Sequence, residues 1–201
     1  MRASRLFPCA TLIAFCVMFA VSASAQNFLH NSDISVSAFG QFSPTVNGNG
    51  IELKTTDSVG GQAAFRHSYH WWLGFEGSYN YTRFAEIYSN QRFPIQHNTH
   101  EFAGSYLVTV PSVILHPFAF AGVSALVFSP TLNGGQNVSW QGEPAFNFGA
   151  GVNQALLTSH FGIRIQYRGV YYKAPDFGEP ILDTGKSRLT SEPMAGLYLR
   201  F

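Results

Sequence analysis

Between residues 161 and 172 the side chains alternate without a slip. Phe161, Ile163, Ile165, Tyr167 and Tyr171 fall on one face, and Arg164, Gln166, Arg168 and Tyr172 on the other. A period of two belongs to a strand, not a helix. A face of large apolar groups set back to back with a face carrying two guanidinium groups cannot bury both sides in one apolar core, because each enclosed charge needs a partner. The same alternation recurs at about residues 33–43, 59–67, 73–81, 101–110, 118–128, 146–153 and 188–201, which makes eight runs. In the run at 118–128 both faces are apolar; Phe118, Phe120, Gly122 and Leu126 are assigned outward, and Ala119, Ala121, Val123 and Ala125 inward.

The connections decide between the architectures such strands can build. Polar segments at about 44–57, 85–97, 129–142 and 174–187 alternate strictly with short turns near Ser68–His70, Pro111-Ser112 and Thr158–His160. A β-sandwich does not require every second connection to be long, whereas a membrane barrel has short turns at one rim, long loops at the other and an even strand count. The expected fold is therefore all-β, an eight-stranded antiparallel up-and-down transmembrane barrel spanning 33–201, its apolar side chains facing lipid. Pro193 in the last run cannot donate to a ladder and requires a bulge or frayed pairing there.

Composition agrees where it can be tested. Charged residues are 11% of the chain and aromatics 15%, against about 25% charged in ordinary soluble domains. At the amino-terminus, Arg2 and Arg5 precede an apolar run from about Phe7 to Val21, and Ala23-Ser24-Ala25 has the small-residue form of a cleavage site. The run is short of the roughly 20 residues that span a bilayer, so residues 1–25 read as a removable signal peptide cut after Ala25, with 26–32 a short periplasmic segment. Cys9 and Cys16 go with it, which leaves no thiolate for catalysis or metal binding. Of 12 Lys plus Arg, loss of Arg2 and Arg5 leaves 10 against 11 Asp plus Glu, a formal charge of −1 that argues against a nucleic-acid partner.

The last strand ends Gly196-Leu197-Tyr198-Leu199-Arg200-Phe201, with Leu197, Leu199 and Phe201 on one face. With this ending, the eight runs and the loop pattern, the chain resembles the small eight-stranded outer-membrane barrels of the OmpA, OmpX and opacity-protein type. That resemblance implies an address in the bacterial outer membrane, and it casts Gly196, Leu197, Leu199 and Phe201 as the signal read by the barrel-assembly machinery. Outer-membrane lipid and lipopolysaccharide are the surroundings it implies. The run of sequence stops at the barrel, so no peptidoglycan-tethering role is carried over. Members of such a family differ in activity, and fold is not function.

Among residues on the inward face, Arg66, Glu76, Glu101, Arg164, Arg168 and Glu192 are the expected lumen ion-pair network. An eight-stranded barrel is about wide enough for its own side chains, so a plugged lumen is expected over a narrow solute pore. His67, His70, His116 and His160 fall with Tyr69, Trp71 and Trp72 at the short-turn rim, and Tyr81, Phe84, Phe128 and Tyr171 are read as the opposite aromatic girdle. His67-x-x-His70 and His97-x-x-His100 put their rings on opposite strand faces, so no metal or other cofactor is expected. A lipid-modifying enzyme would need His97 or His100 to meet a loop carboxylate such as Asp176; the pairs His67-Ser68 and Ser159-His160 read more simply as turns. No catalytic residue is assigned. The remaining expectation is a monomer of structural or surface-interaction type, its loops open to an extracellular ligand.

Overall fold

The computed structural model describes residues 29–110 and 115–201; the expected leader with Ala23 and Ala25, and the turn at Pro111-Ser112, lie outside them. The described chain is nearly all strand: β1 (Ser32–Gln41), β2 (Val46–Gly48), β3 (Ile51–Thr55), β4 (Ser58–Ser68), β5 (Leu73–Tyr88), β6 (Ile95–Thr109), β7 (His116–Pro130), β8 (Gln141–Thr158), β9 (Phe161–Lys173) and β10 (Ser187–Arg200). Leaving aside β2 and β3, each strand pairs antiparallel with the next, and β10 pairs with β1, so eight strands close into a barrel. The seam runs from Asp33↔Arg200 through Ile34↔Leu199 to Phe39↔Met194. Beyond it the ladder lapses opposite Pro193, which has no N–H to give, and resumes as one bridge at Phe42↔Ser191.

Burial follows the parity of the sequence in seven of the runs. In β1, Ile34, Val36 and Ala38 are exposed while Ser35, Ser37 and Phe39 are buried. In β9, Ile165, Tyr167 and Tyr171 are exposed while Arg164, Gln166 and Arg168 are buried. The apolar set thus faces outward and the polar set inward, the inverse of a soluble β-protein.

The run at 118–128 is the exception, and its assignment is corrected. Phe118, Phe120 and Leu126 are buried in the lumen, while Ala119, Ala121, Val123 and Ala125 face out. The rings go inward because space is made for them there. Phe118 pairs with Gly151 and Phe120 with Gly149 on β8, and a Cβ on Gly149 would meet the Phe120 ring at 2.6 Å. The Arg66 guanidinium also lies 4.2 Å from the centre of the Phe118 ring, a cation–π contact.

Two of the polar segments are more ordered than their composition suggested. The 44–57 stretch holds the β2–β3 hairpin, turned by Asn49 and Gly50, both at positive φ (51° and 77°). Positive φ at two successive residues is the Asn-Gly hairpin turn. β3 then pairs with the far end of β5 through Leu53↔Tyr88, raising the wall beside the barrel mouth. Likewise β5 continues to Tyr88 and β6 begins at Ile95, so much of 85–97 is strand, joined by residues 89–94.

Candidate functional site

The lumen and its mouth hold the buried chemistry of this molecule, arranged in three charged tiers. Nearest the short-turn end, Arg164 donates to Asp33 (2.8 Å), Ser35 (2.8 Å) and Asn153 (2.8 Å). Beside it Arg66 is ion-paired with Glu76 and donates to Gln166 (3.1 Å), which in turn donates to Gln62 (3.1 Å). In the middle tier Arg168 lies between two carboxylates, Glu101 and Glu192, the latter at 3.0 Å. Asn80 adds a donor to Glu101 at 3.3 Å. Inward parity on β1, β4, β5, β6, β8, β9 and β10 brings these side chains together, some from positions more than 100 residues apart.

The third tier closes the mouth. Arg188 is ion-paired with Glu86 and donates to Thr55 (2.7 Å) and to the Tyr172 hydroxyl (2.9 Å). His97 stands 3.8 Å from Glu86, with no exposed surface, boxed by the rings of Phe84, Phe128 and Phe177 at 4.3–5.5 Å between centres. Around this tier runs an apolar plug that includes Leu53, Tyr88, Ile95, Leu126, Val170 and Leu182. Between the middle and upper tiers, a gap of about 10 Å³ among Asn80, Thr82, Thr99, Glu101, Thr190 and Glu192 is room for about one water.

The 174–186 connection is the lid on that plug. It inserts Phe177 and Leu182 into the mouth and is tied down on several sides. Tyr88 donates to the Pro175 carbonyl (2.6 Å), and the Gln141 side chain accepts from the Asp176 amide (2.9 Å) while donating to its carboxylate (3.1 Å). Lys173 bridges Asp176 (2.8 Å) and Asp183 (3.3 Å). Asn90 and Asn49 reach the carbonyls of Ile181 and Asp183, joining the lid to two other loops. Partial burial raises the Asp176 carboxyl, but bonds from Lys173, the Gly178 amide and Gln141 outweigh it and hold the group below its usual range.

All six charges proposed for the lumen from sequence stand inside the barrel, but Arg66–Glu76 and Glu101–Arg168–Glu192 are separate groups, and Arg164 turns to Asp33. Asp33, Glu86, His97 and Arg188 were not named as lumen charges; each lies on the inward parity of its own strand, which was the available signal. The girdle is corrected in part. Tyr81 and Tyr171 are exposed on the wall, but Phe84 and Phe128 are buried in the plug, as Phe84 must be when it lies three residues beyond an outward Tyr81. Leu197, Leu199 and Phe201 lie on the outer wall and Gly196 against the β1 backbone. His97 and Asp176 do not form a catalytic pair: Glu86 is the carboxylate that His97 faces, and Asp176 is engaged by Lys173 and Gln141. His100 faces outward to the Tyr79 hydroxyl at 2.8 Å.

A family model described as "Outer membrane protein beta-barrel domain" matches residues 11–189. Among solved structures, Neisserial surface protein A is similar at a TM-score of 0.62 and 16% identity, covering 85% of this chain and 97% of that one. The outer membrane protein OprG from Pseudomonas aeruginosa has a TM-score of 0.58 at 9% identity, covering 86% and 96%. Ail, the attachment invasion locus protein of Yersinia pestis, solved with the heparin analogue sucrose octasulfate, gives 0.50 at 18% identity, covering 85% and 99%. At these identities the likeness is one of fold. No curated protein matches the chain.

Proposed function

Because the chain belongs to the outer membrane protein β-barrel family and resides in the bacterial outer membrane, we propose that it is a surface-interaction protein whose working surface is the loop crown. The observation that carries this reading is the contrast between a lumen blocked at its middle and mouth and an apolar crown. Within the barrel, a cavity of about 200 Å³ opens at the short-turn end beside Asp33, Arg66 and Asn153, but above it the charged tiers leave a gap for about one water and the apolar plug closes the mouth. Outside, Leu132, Trp140, Ile181 and Phe93 stand on the long connections with more than half of their surface open, Leu132 fully so. Large apolar groups held out on external loops favour a partner with apolar or aromatic surface. The cross-ties between the lid, Asn49, Asn90 and Gln141 hold the crown in shape, which lowers the entropy cost of docking.

Around that reading stand the expectations for biogenesis: residues 1–25 as a cleaved signal, Gly196, Leu197, Leu199 and Phe201 as the assembly signal, and a monomer in lipid. Two measurements test the function. Purified protein in a planar bilayer is expected to show no steady conductance; a reproducible open channel would favour the narrow pore instead. Cells displaying the wild type are expected to adhere to an apolar or epithelial surface more strongly than cells displaying Leu132→Ser with Trp140→Ser at equal surface level. Equal adhesion by both would remove the crown from the account.

A further inference from the structure

The outward face of the β5–β6 pair breaks from the apolar wall at one height. Tyr79 meets His100 at 2.8 Å, Tyr81 donates to Asn98 at 3.1 Å, and Arg83 donates to Gln96 at 3.4 Å, so three polar rungs succeed one another on the outside of the barrel. Their depth can be set by counting. Trp71 and Trp72 are exposed at the short-turn rim, the place of an interfacial aromatic. A tilted strand crosses the hydrocarbon in about 9–11 residues, so β5, entering at Leu73, leaves it near Arg83. Counting back from Thr109 on β6 reaches the same boundary near His100 and Asn98. The β5–β6 register, with Arg83 opposite Asn98, carries the count across both strands and places the Arg83 rung where outer-leaflet headgroups begin, the Tyr79–His100 rung lying below it.

Arg83 is exposed there and has no carboxylate within ion-pair distance among the described residues. By contrast Lys54 on β3 and Lys173 at the end of β9 are matched by Glu52 at 3.0 Å and Asp176 at 2.8 Å. A shallow depression of about 380 Å³, lined by Thr56, Arg83, Phe84, Ala85 and Gln96, opens beside the guanidinium. The Gln96 backbone is fixed from behind: its N–H donates to the Gly134 carbonyl (2.8 Å) and its C=O accepts from the Thr131 N–H (2.9 Å). A side-chain amide held on an anchored backbone and an unneutralised guanidinium, at headgroup depth and above an apolar wall, match a phosphate on an acyl chain better than a soluble anion.

We infer that Arg83, with Gln96 and the His100–Tyr79 rung below it, forms a site on the barrel's outer wall for the phosphate headgroup of an outer-leaflet glycolipid. The guanidinium supplies charge-assisted donors to the phosphate oxygens, and acyl chains lie down the face of Tyr79 and Phe102. The site lies on the outer wall and uses none of the exposed apolar side chains of the crown.

Native mass spectrometry of the folded protein in neutral detergent, titrated with diphosphoryl lipid A, tests it. The wild type should hold one lipid A molecule, Arg83→Gln should bind about tenfold more weakly, and Arg83→Lys should keep most of the affinity. Arg83 is exposed, so the variants are expected to fold, and heat-modifiable gel migration checks that they do; Gln96→Ala gives a second, weaker loss. Equal binding by Arg83→Gln, equal binding of phosphatidylcholine, or displacement of the lipid by inorganic phosphate would each overturn the assignment, the last by showing a site for free anion.

Discussion

Replacing Arg168 by Met tests the physical account of the lumen most directly. Arg168 is 1% exposed and pairs with Glu101 and Glu192, which are 3% and 5% exposed. Methionine fills much of the arginine stem's volume, so the change removes charge more than packing. Two carboxylates are then left face to face without a cation. Breaking a buried ion pair by removing one partner costs about 3–5 kcal/mol, because the survivor keeps its desolvation cost. Here one cation serves two anions, which puts the expectation at the upper end of that range. The reference state favours the argument, since a barrel extracted from a membrane by urea unfolds into water, where carboxylates are solvated. Urea titrations of protein folded into vesicles, followed by tryptophan emission and gel migration, should show the loss. The triple variant Arg168→Met, Glu101→Gln, Glu192→Gln should regain most of it, as paired amides can satisfy each other. A change below about 1 kcal/mol in the single variant, the size of an exposed pair, or a triple variant as unstable as the single one, would refute the reasoning.

Gly149→Ala should destabilise the same vesicle-bound protein by about 1–3 kcal/mol, the usual range for overpacking, since its Cβ would press on the Phe120 ring and the Tyr167 carbonyl; a neutral effect would show that the β7–β8 fit is loose. Lid anchoring should weaken on acidification. The Asp176 carboxyl is held below its usual value, so its contribution is complete above about pH 4 and falls away as pH drops through the lowered value. Protection of the Ala174 and Phe177 amides, taken relative to the intrinsic exchange rate at each pH, should fall there in the wild type, whereas Asp176→Asn should be weakly protected at neutral pH and change little with acid. Deleting Phe201 should reduce the folded, heat-modifiable fraction in cells before it alters the stability of protein that does insert; normal assembly would count against its role as a signal.

The barrel could be read from the chain because lipid outside and charge inside keep the period of two in high contrast. Where that contrast fades, reading by composition goes astray for a physical reason. Above the hydrocarbon the residues joining β5 to β6 and the outward Gln96 of β6 are polar, so 85–97 looks like loop although Glu86, Tyr88, Ile95 and His97 keep their inward parity. In β7 both faces are apolar and the side is chosen by glycines on β8, a nonlocal cause; Ser124, buried and of the same parity as Phe118 and Phe120, was the one local clue. Asn49-Gly50 was a hairpin signal lying in plain view. The partners of each lumen charge were out of reach, since strand parity gives a side chain's direction but not which of several carboxylates lies across the lumen.

The seam between β1 and β10 also sets an order of events. Every other long-strand pair joins neighbours in the chain, but Asp33 meets Arg200 across 167 positions, 200 minus 33. Closing so long a loop costs on the order of 4–5 kcal/mol of chain entropy, and it gains nothing until both ends are present. Hairpins can form as they arrive, while the ring cannot close from a partial chain. The growing sheet therefore carries two open edges until its final strand is delivered, and the time the polypeptide must be kept from other strands is set by the arrival of its last residues.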